Sequence, residues 1–130
     1  MRTVEWIGSS LDDLRGFPHD VQGEMGYALY LAQLGEKHRN AKPLGGFAGA
    51  SVLEIIDDYD SDTYRCIYTV RLKTAIYVLH AFQKKAKRGI ATARADIDLV
   101  KSRLKAAQEL DAQREADLES LTNPSSGEER

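Results

Sequence analysis

Residues 63 to 83 carry the pattern that most limits what this chain can become. The run Thr63, Tyr64, Arg65, Cys66, Ile67, Tyr68, Thr69, Val70, Arg71 is followed by Leu72, Lys73 and Thr74. Ala75, Ile76, Tyr77, Val78, Leu79, His80, Ala81, Phe82 and Gln83 come next. Both runs are rich in β-branched and aromatic residues, and three residues separate them. The spacing predicts two antiparallel strands joined by a turn. Ser51–Asp58, carrying Val52, Leu53, Ile55 and Ile56, is a third run of the same kind. It joins the first through Tyr59, Asp60, Ser61 and Asp62, a polar turn of Asx-type residues. Connections this short make consecutive strands neighbours, so a three-stranded antiparallel meander is expected.

The flanks complete the domain. Arg2–Ile7 alternates and reads as a short strand. Ser9 and Ser10 followed by Asp12 and Asp13 start a brief helix that Gly16 and Pro18 interrupt. A second helix opens at Pro18 and Asp20, places Val21, Met25, Ala28, Leu29 and Ala32 on one side, and ends at Gly35. Tyr27, Leu31 and Leu34 form a second apolar stripe beside that side. Residues 36–50, with Pro43 and the cluster Gly45, Gly46 and Gly49, read as a loop. The Gly cluster lacks the Gly-Lys-Ser/Thr of a phosphate loop. From residue 91 to 119 helix formers continue without a break. Ile97, Val100, Leu104 and Ala107 make a stripe that fades beyond Leu110, which predicts a helix packed in its first half and protruding in its second. The fold class is therefore α+β: an N-terminal strand and two helices, the meander, and a long C-terminal helix, with the helices on one face of the sheet. Residues 1–121 form a single domain, and 122–130 have the composition of a disordered tail.

Charge is segregated along the chain. Residues 1–64 hold 11 acids and 5 bases, residues 65–108 hold 11 bases and 2 acids, and residues 109–130 hold 7 acids and 2 bases. A net charge of −2 thus hides a basic middle able to attract a phosphate backbone. One cysteine, Cys66, excludes an intrachain disulfide framework. His19, His38 and His80 lie too far apart in sequence to show zinc-ligand spacing, so no metal or cofactor is expected. No run reaches transmembrane length and no apolar leader is visible, so a cytoplasmic protein without a membrane partner is expected.

Alternation sorts candidate functional side chains. Arg65, Ile67 and Thr69 share a side of one strand. Ile76, Val78, His80 and Phe82, continuing to Lys84, share a side of the next, while Val52, Glu54, Ile56 and Asp58 share a side of the first. If these sides coincide away from the helices, Glu54, Arg65, His80 and Lys84 form a compact polar group. Each has a plainer role open to it. Arg65 and Glu54 can be an ion pair, His80 a half-buried histidine with its bonds satisfied, and the cations after Gln83 a solvated strand end. Tyr64, Tyr68 and Tyr77 read as core.

Ser51-Val52-Leu53-Glu54-Ile55, Tyr64-Arg65-Cys66-Ile67-Tyr68 and Val78-Leu79-His80-Ala81-Phe82-Gln83-Lys84-Lys85 together resemble the RelE/ParE superfamily of bacterial toxins, specifically its phage-derived HigB-like branch. The resemblance spans about residues 2–110. It implies a RelE-like fold and the toxin of a type II toxin–antitoxin pair, held by a helix-turn-helix (HigA-like) antitoxin. It also implies a ribosome-associated endoribonuclease that cleaves messenger RNA without a metal, by attack of the ribose 2′-OH on the adjacent phosphorus. By that resemblance Arg65 stabilises the phosphate, Lys84 and Lys85 bind phosphate or protonate the leaving oxygen, and Glu54 or His80 is the base. Lys87, Arg88, Arg71 and Lys73 are the further RNA-binding candidates. The chain departs from some ribosome-dependent relatives, having Glu54 and Ile56 where they carry lysines and no tyrosine between Ala86 and Ala93. A ParE-like toxin that binds DNA gyrase without catalysis, or an inactive relative that binds only antitoxin or DNA, are the alternatives.

Overall fold

The computed structural model describes residues 1–47, 51–84 and 93–122. In chain order these form β1 (Thr3–Trp6), α1 (Ser10–Arg15), α2 (His19–Gln33), β2 (Ala41–Pro43), β3 (Val52–Tyr59), β4 (Asp62–Thr69), β5 (Ala75–Lys84) and α3 (Arg94–Thr122). The expected α+β class, with strand and helices first, a meander next and a long helix last, is what the chain adopts. The expected tail falls, from residue 123 on, outside the described residues.

The sheet has five strands in the order β1-β5-β4-β3-β2. β5, β4, β3 and β2 run antiparallel in turn, while β1 lies parallel to β5, with Thr3 opposite Ala75 and Trp6 opposite Val78. β2 falls in the segment read as loop. Its three residues carry no period, and Pro43 argues against a strand; it exists because β3 offers an open edge, where a proline is tolerated. The β3–β4 connection is a two-residue turn with Asp60 (φ 54°) and Ser61 (φ 74°) both left-handed. That hand matches the twist of the flanking strands.

Helices cover both faces of the sheet, not one. On one side α1 and α2 supply Leu14, Val21, Met25 and Leu29 against Ile55, Cys66 and Tyr68. On the other, α3 lays Ile97, Val100, Leu104 and Ala107 over Ile67, Tyr77 and Leu79. The physical reason is visible in the strands. Residues 75–79 of β5 are fully buried at every position, so both of its faces need cover. Tyr64, Tyr68 and Tyr77 are all core. Cys66 is also fully enclosed, and burial pushes its thiol up to about 12, which removes thiolate chemistry near neutral pH.

Two devices lock α3 to the sheet. Arg2 donates to the carbonyls of Val70 (3.0 Å), Ala75 (3.1 Å) and Leu72, gathering the acceptors of the β4–β5 turn. Asp111 gathers that turn's donors. Its carboxylate accepts from Lys73 N (2.9 Å), Thr74 N (2.7 Å), Thr74 Oγ1 (2.5 Å) and Tyr77 Oη (3.2 Å). Arg114 pairs with Glu5 at 3.1 Å, so α3 remains attached well beyond Leu110, where the apolar stripe stops. Leu118 and Leu121, at 52% and 75% exposure, are past that attachment.

The second device is midway along β5. Ile67 faces His80 and Tyr68 faces Val78, so Leu79 is an extra residue, a β-bulge. Its carbonyl accepts from Arg103 Nη1 of α3 at 3.0 Å, and Arg103 Nη2 reaches Ser9 Oγ at 3.2 Å. Gly8, with φ +59°, lets the guanidinium pass: a Cβ there would stand 2.8 Å from Arg103 Cζ and Nε. Gly8→Ala is therefore expected to cost about 2 kcal/mol, by strain at a left-handed φ and by displacing Arg103. A urea midpoint unchanged from the parent would contradict this.

Candidate functional site

The bulge at Leu79 decides which side chains meet. With strict alternation, Ile76, Val78, His80 and Phe82 would share one side of β5. Instead Ile76 and Val78 pack towards α2, while His80, Phe82 and Lys84 turn to the α3 face. That is the face of Glu54, Arg65 and Ile67, because cross-strand partners point the same way and Ile67 stands between Glu54 and His80. The four residues grouped by alternation do share a face. It is a helix-covered face, not an open one, and the extra residue at the bulge is what aligns them.

Two polar contacts organise the group. Arg65 Nη1 donates to Glu54 Oε2 at 2.7 Å, with the two side chains 11% and 3% exposed. His80 Nε2 and Asp96 Oδ1, in the first turn of α3, stand 2.8 Å apart. The His80 ring stacks on Phe82 with centroids 4.5 Å apart and planes 22° from parallel, and Phe82 is itself the cross-strand neighbour of Arg65. His80 Nδ1 is enclosed and has no hydrogen-bond partner among the described residues. Lys84 ends β5 opposite Thr63, half-buried, on the same face. A guanidinium, a carboxylate, an imidazole and an ammonium thus follow one another along the end of the sheet nearest the start of α3.

Such a group is expensive. Burying an ion pair stabilises a fold little or not at all relative to apolar side chains of similar volume, because desolvation offsets the attraction. Ionisable groups held together in that way on a rigid sheet mark a candidate functional site.

The remaining candidates are elsewhere. Arg71 and Lys73 sit in the β4–β5 turn, at the opposite end of the hairpin, about 20 Å from Arg65 at 3.3 Å per residue. Lys73 pairs with Glu115 of α3 at 3.2 Å. The structure does not bring these two to the polar group. Lys85, Lys87 and Arg88 lie outside the described residues. Asp96 is the member that sequence reasoning missed. An acid in a helix's first turn reads as a complement to the helix dipole, and nothing local signals that it meets a histidine 16 residues earlier.

Among the described residues, no group of three or more His, Cys, Asp or Glu side chains could hold a metal ion. No helix of the described residues is long and apolar enough to cross a membrane. A family model described as phage-derived protein Gp49-like (DUF891) matches residues 12–105, from α1 through the first half of α3. No curated protein and no solved structure matches the chain.

Proposed function

The chain belongs to the phage-derived Gp49-like family, which is associated with RelE-type toxins, and we propose that it is a toxin of the HigB-like branch that cleaves messenger RNA on the ribosome and is neutralised by a helix-turn-helix antitoxin. The observation that carries the reading is the buried Arg65–Glu54 pair beside His80 and Lys84 on one sheet face, a costly arrangement that fits phosphate chemistry.

The reaction is transesterification within the RNA. Glu54 or His80 takes the proton of a ribose 2′-OH, the O2′–phosphorus bond forms, and the phosphorus–O5′ bond breaks. The products are a 2′,3′-cyclic phosphate and a 5′-OH, the latter protonated by Lys84 or Lys85. Arg65 supplies a preorganised cation where negative charge accumulates on the phosphorane. Glu54 aims the guanidinium. Asp96 at Nε2 fixes the orientation of the His80 ring, whose Nδ1 is enclosed.

The test is induction of the chain in growing cells with mapping of transcript 5′ ends, with and without a translation initiation block. New 5′-OH ends that vanish under the block, and vanish with Arg65→Lys, support the reading. Intact messenger RNA in growth-arrested cells overturns it. A second reading, the non-enzymatic gyrase-binding toxin, is favoured by one observation: Glu54, Arg65 and His80 are all at most 9% exposed. It predicts DNA damage and blocked supercoiling with messenger RNA intact. A third outcome, no growth arrest at all, identifies an inactive relative.

A further inference from the structure

His80 is closed off at both ring nitrogens. Nε2 stands 2.8 Å from Asp96 Oδ1, and Nδ1 is enclosed with no hydrogen-bond partner among the described residues. The side chain is 8% exposed, and Nε2 cannot meet a phosphodiester while Asp96 is on it. Water would satisfy Nδ1 and the packed state does not, so the closed arrangement is a costly one for a polar ring.

The element that closes it is attached unevenly. From Val100 on, α3 is fastened repeatedly. Val100 is fully buried, Arg103 binds the Leu79 carbonyl at 3.0 Å, Asp111 holds the β4–β5 turn and Arg114 pairs with Glu5. Ahead of Val100, the described residues make one polar contact with the sheet, Asp96 with His80, supported by the half-buried Ile97. Arg94 and Asp98 are 90% and 62% exposed and pair with each other at 3.8 Å. The helix also begins at a poor cap. Ile97 N donates to Ala93 O at 3.0 Å, which puts Ala93 at the cap position, and an alanine has no side-chain acceptor for the first N–H groups. Local opening starts where a helix is uncapped and lightly packed.

We propose that the first turn of α3 is a lid over His80: Asp96 holds it shut, and it opens by unwinding as far as Val100 while the rest of α3 stays fastened. Its consequence for RNA rests on the nuclease reading, to which it supplies a route for the imidazole to meet a substrate. A phosphodiester oxygen is an acceptor of the same kind as the Asp96 carboxylate and carries the same sign, so the substrate competes with the lid for His80 Nε2. The resting chain is thereby self-inhibited at this residue.

The three histidines provide an internal comparison. His19 is exposed, His38 is 3% exposed and bonded to Glu24 of α2, and His80 lies under the lid. The full chain is treated with diethyl pyrocarbonate, which modifies accessible imidazole, and the rate at each histidine is followed by mass spectrometry. In the parent, His19 should react fast and His38 and His80 slowly. Asp96→Ala should speed His80 about tenfold, the loss of one hydrogen bond to a charged acceptor. Ile97→Ala should speed it too, and both variants should leave His38 unchanged. Amide exchange should quicken at residues 97–100 and not at 104–111. His80 reacting as fast as His19 in the parent overturns the proposal, as does a His80 rate that neither substitution changes. So do His80 and His38 rising together, which is global unfolding. No RNA enters these measurements. A chain whose lid opens but whose messenger RNA stays intact fails the nuclease reading alone. One that cleaves RNA while His80 ignores both substitutions fails the lid alone.

Discussion

Arg65→Met is expected to cost the fold about 3–5 kcal/mol, while Glu54→Leu combined with Arg65→Met restores most of that stability and none of the activity. Glu54 is 2% exposed and its Oε2 lies 2.7 Å from the Arg65 guanidinium. Removing the cation alone leaves a buried carboxylate without the guanidinium that faces it. Removing both replaces two desolvated ions by apolar side chains next to Ile67 and Phe82. Chemical unfolding of the two single variants and the double variant gives the coupling directly. A double variant as unstable as the worse single one would show that the pair contributes shape or further bonds that leucine and methionine do not replace. The activity arm separates the two roles of the site. A stable, folded double variant that no longer arrests growth places the loss in the chemistry. A double variant that is folded and still toxic removes Arg65 and Glu54 from any mechanism.

Asp111→Ala should lower stability by about 2–4 kcal/mol, an effect larger than its position in the weakly amphipathic part of α3 suggests. The side chain is 5% exposed and receives four hydrogen bonds, two of them from the backbone of the β4–β5 turn. Truncation strands those donors and detaches α3 from the turn that Arg2 holds on the acceptor side. Burial raises the Asp111 acid, but the bonds from Thr74, Lys73 and Tyr77 outweigh it and hold the carboxyl below its usual range. A depressed folded-state pKa means that the ionised form is the one the fold binds. Its contribution is complete above the ordinary aspartate range near 4, and is lost as pH falls through the lower, folded value. Stability measured from pH 6 down to pH 2 should therefore fall in the parent and fall less steeply in Asp111→Asn. Parallel profiles would mean that other carboxylates carry the acid response.

Arg65 and Asp111 also mark two degrees of legibility. Arg65 was visible as a candidate because a cation inside a β-branched, aromatic run is out of place by pattern alone, and Glu54 stood out for the same reason one strand earlier. Asp111 was invisible, since an acid in a helix rich in acids carries no local signal. His80 falls between. Alternation set it beside Ile76 and Val78 on a face away from the helices, whereas the Leu79 bulge turns it from those residues to the face that α3 covers. Bulges depend on what can satisfy the freed carbonyl, here Arg103 from a helix 24 residues further on. Arg71 and Lys73 were grouped with Arg65 by their nearness in sequence, although a hairpin carries its turn about 20 Å from its open end.

Local pattern determined the elements of this protein. Period-two runs made the β3–β4–β5 meander, Asp60 and Ser61 made its tight turn, period 3.6 made α2 and the first half of α3, and one strand ahead of the helices completed the α+β class. These outcomes depend on the nearest few residues, so one sequence suffices. Tertiary structure decided the rest: that β1 lies parallel to β5, that Ala41–Pro43 is recruited to the β3 edge, and that α3 takes the face opposite α2. It also decided that Asp96 meets His80. Each depends on surface or hydrogen-bonding capacity left unsatisfied by a distant segment. The supply of such partners is a property of the folded chain, not of any window of its sequence.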